Sequence, residues 1–147
     1  MSGVIGFDPA TVTGYAFRLQ RDAWAYGVLD VVQLDRLNEV LGAAMSAGVS
    51  VAYIEDCYMQ NNVKTLKLLQ SYQTRIVVAC EAANLPTHII MPSEWQASYD
   101  ITGERKERKL GARRVARMIC GYEPKTQDEC DAVCIADYGE AYERTMK

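Results

Sequence analysis

The chain has 147 residues, 49% of them apolar and 24% charged, with a formal net charge of −3. That is the length of one domain (1–147), and it is apolar enough to build a core without disulfide or metal staples. No apolar run is long enough for a membrane span, no basic segment precedes an apolar stretch at the N-terminus, and five cysteines without a CxxC pair do not make a disulfide framework. The expectation is a cytoplasmic protein with reduced thiols and no membrane anchor.

In chain order, residues 3–8 read as an apolar strand ending on Asp8, 9–14 as a turn, and 14–20 and 23–30 as two strands that Arg21-Asp22 joins in a hairpin. Leu34, Leu37, Val40, Leu41 and Ala44 have helical spacing within 33–47, with Gly48 as the C-cap. Residues 49–55 form a short β-branched run, a buried parallel strand ending on Glu55. Asn61-Asn62 offers an N-cap to a helix over 63–83, with Leu66, Leu69, Ile76, Cys80 and Ala83 near one stripe. A strand over 86–91 follows, then a short helix capped by Ser93 with Gln96 and ending before Gly103. Residues 104–120 form a basic helix that Gly121 stops. Thr126 with Glu129 is a capping box for a terminal helix starting at about residue 127. Three strands, then helices alternating with two more strands, describe an α/β domain with a mixed sheet.

Four acids stand out within this pattern. Asp8 and Glu55 each lie at a strand exit, where open α/β sheets bind ligands. Asp128 and Asp131 are three apart in the first turn of the terminal helix and share a face. Four hard oxygen donors brought together repel one another unless a divalent cation neutralises them, and Mg²⁺ or Mn²⁺ suits such ligands. The pattern is that of a metal-dependent phosphodiesterase. By period two Asp56 falls on the opposite strand face and one residue further out, while Glu129 and Asp137 are rotated away from Asp128 and Asp131, so those two read as solvated charges. Cys130 and Cys134 read as small helix-face packing residues rather than zinc ligands, and His88 as a strand residue. Residues 104–117 carry seven basic side chains (Arg105, Lys106, Arg108, Lys109, Arg113, Arg114, Arg117) against Glu104 and Glu107. A basic run of this kind is a solvated helix face or the phosphate-binding wall of a nucleic-acid site.

Gly6-Phe7-Asp8-Pro9-Ala10-Thr11-Val12-Thr13-Gly14-Tyr15 resembles the first motif of RuvC-type Holliday junction resolvases, and Tyr53-Ile54-Glu55-Asp56-Cys57-Tyr58-Met59 their second. The run Asn62 to Leu68 is similar to the start of their long helix, and Asp128-Glu129-Cys130-Asp131-Ala132-Val133 to their closing Asp-x-x-Asp-Ala motif. The resemblance spans nearly the whole chain. It implies a ribonuclease-H-like fold, with a mixed five-stranded sheet flanked by helices, and a homodimer that nicks four-way DNA junctions symmetrically. It carries the catalytic and metal-binding roles onto Asp8, Glu55, Asp128 and Asp131, and base stacking at the junction centre onto Tyr58. Ala10 stands where the family has glycine, and Gln96 where a lysine is common; Lys106 or Lys109 then supplies the missing charge. These departures and the acidic balance fit a divergent, phage-type member.

The mechanism expected is two-metal hydrolysis, with two Mg²⁺ ions (Mn²⁺ substituting) bridged by Asp8 and 5′-phosphate products. DNA contacts are expected from Tyr58, Lys106, Lys109 and Arg113. The rival readings are a broader branched-DNA or flap nuclease of the same fold, and a module that binds branched DNA without cutting it. For the dimer contact, the 63–83 helix is the favoured element, because Leu68, Val77 and Ala82 lie outside its main stripe.

Overall fold

The computed structural model describes residues 3–20, 23–57 and 62–146. Five strands, β1 (Gly3–Asp8), β2 (Thr13–Gln20), β3 (Ala23–Leu29), β4 (Val49–Glu55) and β5 (Thr87–Ile90), form one sheet in the order β3-β2-β1-β4-β5. β1–β2 and β2–β3 pair antiparallel, while β1–β4 and β4–β5 pair parallel. The Arg21-Asp22 hairpin residues lie outside the described residues. Helices α1 (Leu34–Ser46) and α2 (Val63–Ala82) cover one face of the sheet. α3 (Pro92–Ser98), α4 (Arg105–Cys120) and α5 (Gln127–Thr145) belong to the other. Among the described residues no helix is long and apolar enough to cross a membrane.

Strand periodicity decides which face each acid joins. Ile5 and Phe7 of β1, with Ala52 and Ile54 of β4, enter the core beneath α1 and α2. Val4, Val51 and Tyr53 alternate to the α5 side. Continuing that alternation by one step puts Asp8 and Glu55 on the α5 face at the carboxyl ends of two neighbouring parallel strands. α5 is where Asp128 and Asp131 reside.

α5 can lie against the strands because the contact is made by very small residues. A Cβ at Gly6 would stand 2.6 Å from the Ala132 carbonyl oxygen and 2.7 Å from the Ala136 nitrogen, and one at Gly14 would collide with the Asp128 carbonyl. At Gly139 it would meet the Tyr53 ring at 2.9 Å. The other side of α5 meets α4 through equally small groups. Cys130 and Cys134 are fully buried, and their thiols donate to the carbonyls of Pro124 and Ala112. Both are packing residues, as the sequence indicates.

Local capping chemistry mostly follows the sequence. Asn62 Oδ1 accepts from the Lys64 and Thr65 amides, Thr126 and Glu129 form the capping box of α5, and Gly121 ends α4 in the left-handed region. Three expectations are corrected. α3 starts two residues earlier than Ser93 suggests: Met91 is the N-cap, Pro92 opens the helix, and the Glu94 carboxylate accepts from the Met91 amide at 2.6 Å. Ala47 caps α1, and Gly48 follows with a φ of +99°. Glu129 and Asp137 are not solvated charges. Glu129 is buried against Thr126, and Asp137 accepts from Arg18 and from the Tyr99 hydroxyl at 2.6 Å.

The glycines separate two effects. Gly42, on the exposed side of α1, has nothing within 4 Å of an added Cβ. Gly42→Ala is expected to stabilise the fold by about 0.5–1 kcal/mol through helix propensity. Gly6→Ala is expected to cost about 1–3 kcal/mol, because the backbone of α5 must move. Urea unfolding of the two variants checks both, and equal effects would refute the close-contact argument.

Candidate active site

β1 and β4 deliver Asp8 and Glu55 side by side, and the capping box fixes where α5 begins, which sets Asp128 and Asp131 above them. Asp8 lies within hydrogen-bonding reach of Glu55, Asp128 and Asp131. None of the four has a lysine or arginine at ion-pair distance among the described residues.

Electrostatics follow from that isolation. Burial, then the charges of Glu55, Asp131 and Asp128, push the Asp8 carboxyl well above the ordinary carboxylate range. Burial and the Glu55 charge raise Asp131 to about 7. Burial raises Glu55, against hydrogen bonds from Trp95 and Asp8 that lower it. Burial raises Asp128 too, against the Asp8 hydrogen bond and the nearby charge of Lys109. The four carboxyls thus share a raised affinity for protons, greatest at Asp8. Among the described residues no three His, Cys, Asp or Glu side chains close around a common point as a finished metal cage. The acids are gathered by hydrogen bonds that run through Asp8.

Beside them opens a cleft of about 480 Å³, lined by Glu55, Asp131, Trp95, Gln96 and Gln127, with Arg105, Arg108 and Lys109 on its rim. Two neutral donors touch the acids from its walls. The Trp95 indole N–H donates to Glu55 Oε2 at 2.6 Å, and the Gln127 amide donates to Asp131 Oδ1 at 2.8 Å. Sequence reasoning missed both. A tryptophan in an amphipathic segment reads as core, and its N–H partner is set only by tertiary packing.

The cations on the rim also differ from those the sequence suggests. Lys109 lines the cleft as expected, but Lys106 is exposed and does not. Arg113 is turned onto Glu123 and Gln127, each at 3.1 Å. Arg105 and Arg108 take the places on the cleft wall. A signal for this was present. Ala112, Val115 and Ala116 mark the stripe of α4 that faces the core, and steps of three and four residues back from Ala112 reach Arg108, Lys109 and Arg105. Where that stripe overhangs the cleft, it is cationic. Gln96 shares the cleft with these three, so they supply the positive charge its position lacks. Asp56 and Cys57 reach the cleft edge as well, and the Cys57 thiol donates to Gln73 at 3.0 Å. His88 is a β5 residue stacked on Tyr53, two positions before Ile90, which pairs with Glu55. Tyr58 lies outside the described residues. The loop after Asp8 needs no glycine: Ala10 has no positive φ, and the Thr13 hydroxyl closes the turn by donating to the Ala10 carbonyl at 2.8 Å.

No protein-family model and no curated protein matches the chain. Its structure is nevertheless similar to solved ones over almost its whole length. RuvC of Thermus thermophilus in complex with Holliday junction substrate superimposes with a TM-score of 0.78 at 18% identity, covering 97% of this chain and 96% of that one. The Fowlpox virus resolvase bound to Holliday junction DNA gives 0.56 at 13% identity, covering 98% of each. The yeast mitochondrial Holliday junction resolvase Ydc2 gives 0.53 at 12%, covering 99% of this chain and 80% of that one. The fold is the ribonuclease-H-like one of RuvC, as the motifs led us to expect.

The raised acids give a pH signature. An ordinary aspartate titrates near 3.8 and Asp131 near 7, so between those values the folded chain holds a proton that the unfolded chain has released. Stability therefore falls as pH rises through this window. In chelator, the melting temperature is expected to drop between about pH 5 and 7.5, and Asp131→Asn should flatten that drop. An identical slope in the variant would locate the extra proton elsewhere.

Proposed function

We propose that this chain is a divalent-cation-dependent endonuclease that resolves four-way DNA junctions by paired, symmetric nicks, acting as a homodimer. The observation that carries this reading is the group of four partly buried carboxylates with no ion-paired cation among the described residues, set beside a cationic cleft wall. Likeness to a resolvase structure that holds a junction supports the substrate.

Clustered, partly buried acids without an ion-paired cation among the described residues form the donor set that a hard divalent ion satisfies. Asp8, Glu55, Asp128 and Asp131 would hold Mg²⁺ or Mn²⁺, with Asp8 central because it alone reaches the other three. Two such ions, when bound, polarise the scissile phosphate and lower the pKa of the attacking water, leaving a 5′-phosphate. The chain's own part is positional. Lys109, Arg105 and Arg108 hold flanking phosphates against the repulsion of the acids, and Trp95 and Gln127 fix two carboxylates. Lys106 and Arg113 are assigned to the outer phosphate contacts. Tyr58 is assigned to stacking on an opened base, a contact worth about 1–3 kcal/mol.

The dimer follows from the symmetry of the substrate, since two matched cuts in one encounter need two sites related by a two-fold axis. α2 supports this role. It lies on the α1 face, opposite α4, so its outer apolar side chains are not used against the basic helix. Val63, Leu68 and Val78 are about half or more exposed, at 64%, 49% and 56%. Val77 packs partly on the core, so Val78 replaces it in the proposed contact, with Ala82 also outward.

Supercoiled cruciform plasmid tests the proposal. With Mg²⁺ the protein is expected to yield linear product directly and to sediment as a dimer of the 16.4 kDa chain. Asp8→Asn should cut nothing yet bind junctions as well or better, since it removes a ligand and a charge facing phosphate. A strict monomer giving only nicked circles would replace resolvase with a simpler branched-DNA nuclease.

The cationic wall is tested separately. Neutralising Arg105, Arg108 and Lys109 is expected to weaken binding at all sequences and to reduce the salt dependence by roughly one unit per lost phosphate contact. An unchanged slope would return these side chains to the status of a solvated helix face.

A further inference from the structure

We infer that Trp95 and Gln127 are positioning residues that decide which divalent cation the four acids accept, because each engages one oxygen of a carboxylate and so turns that carboxylate away from bidentate chelation of a metal. The inference rests on the metal-dependent reading above and goes one step further, from whether a cation binds to which one.

Trp95 is 1% exposed, packed in the core shared by α3, α4 and α5. Its helix is fixed by Pro92 in the first turn and by the Glu94 carboxylate on the Met91 amide. The indole has a single N–H and no acceptor, so its bond to Glu55 Oε2 at 2.6 Å has one possible direction. Gln127 is oriented as firmly. Arg113 Nε donates to Gln127 Oε1 at 3.1 Å, and Arg113 Nη1 is held by Glu123 at 3.1 Å. A guanidinium carries only donors, so the glutamine oxygen must face it and the NH₂ must face Asp131 Oδ1, 2.8 Å away. Glu123, Arg113, Gln127 and Asp131 thus form a directed chain.

The result is that Glu55 Oε1 and Asp131 Oδ2 are the oxygens these two donors leave untouched, and the favoured ones for monodentate binding. Carboxylates limited to one oxygen suit a small octahedral ion such as Mg²⁺, which binds at about 2.0–2.1 Å and keeps several waters. Ca²⁺ takes 6–8 oxygens, typically with bidentate carboxylates, which this arrangement denies it. Both donors are neutral, so they block an oxygen without cancelling the negative charge that attracts the cation. A lysine or arginine in either place would block the oxygen and cancel the charge together.

The test needs no DNA. Binding of Mg²⁺, Mn²⁺ and Ca²⁺ to the full chain is measured by calorimetry, with melting-temperature shifts as a second readout, for the wild type, Trp95→Phe, Gln127→Leu and Arg113→Met. Wild type is expected to prefer Mg²⁺ and Mn²⁺ over Ca²⁺. Freeing the second oxygen in Trp95→Phe or Gln127→Leu should shift the Ca²⁺ to Mg²⁺ affinity ratio toward Ca²⁺ by roughly tenfold, the lower end of what outer partners of metal ligands usually contribute. Arg113→Met should move it the same way by less, because Gln127 can then rotate. Gln127 lies at the partly exposed start of α5, so Gln127→Leu remains informative even if Trp95→Phe fails to fold. Equal weakening of both ions, with the ratio unchanged, overturns the inference while leaving metal dependence intact. Absence of any divalent binding in the wild type removes the metal reading itself.

Discussion

The close seating of α5 on β1 and β2 is the constraint on which the rest of the molecule depends. Gly6 and Gly14 leave no room for a methyl group, and Ala132 and Ala136 answer them from the helix. Only at that separation can the first turn of α5 bring its two aspartates to the ends of two strands. The same demand explains the composition of the helix. Cys130, Ala132, Cys134, Ala136 and Gly139 are small because α5 is enclosed by the sheet on one side and α4 on the other. Small residues bury little area each, and the domain recovers apolar burial elsewhere, through Phe7, Ile54, Leu37 and Leu41 on the opposite face.

Given that seating, the electrostatic problem is unavoidable. Carboxylates brought together and partly shielded from water raise one another's proton affinity, and among the described residues no lysine or arginine is ion-paired with them. Two modest compensations are built in. Asp128 lies in the first turn of a helix, where the unpaired amides and the helix dipole favour negative charge. The indole of Trp95 and the amide of Gln127 supply neutral hydrogen bonds. Neither removes the charge. A centre built to be structurally comfortable would have used arginine, and the absence of one is what gives the acids their functional reading.

Much of this was legible in the sequence because it depends on short-range rules. Their position at the ends of two apolar strands marked Asp8 and Glu55, and the Thr126–Glu129 capping box located the turn that bears Asp128 and Asp131. What was not legible depends on rotation and tertiary packing. Which cations of a basic helix face a cleft is set by how Ala112, Val115 and Ala116 seat, and it is Arg105 and Arg108 that line it beside Lys109. Trp95 carries no signal in the sequence: it is core, with one polar atom aimed at Glu55. Glu129 and Asp137 were misread for the opposite reason. A charge rotated away from the site is not thereby in water, because on an enclosed helix every direction is occupied: Glu129 by its own cap, Asp137 by Arg18 and Tyr99.

The uneven burial of α2 has a consequence of its own. Its fully buried side chains begin at Tyr72 and continue through Ile76, Ala79 and Cys80, while the first nine residues, Val63–Ser71, offer nothing more enclosed than half-buried Leu66 and Leu69. A helix so anchored does not open as a unit. The free energy of local unfolding climbs along it, low near the Asn62 cap and approaching that of the whole domain past Tyr72. Amide hydrogen exchange would register this as a gradient of protection along a single continuous helix. Whatever covers the outer half adds its stabilisation where the isolated chain has least, so the free end of α2 is the part of the molecule whose order responds most to company.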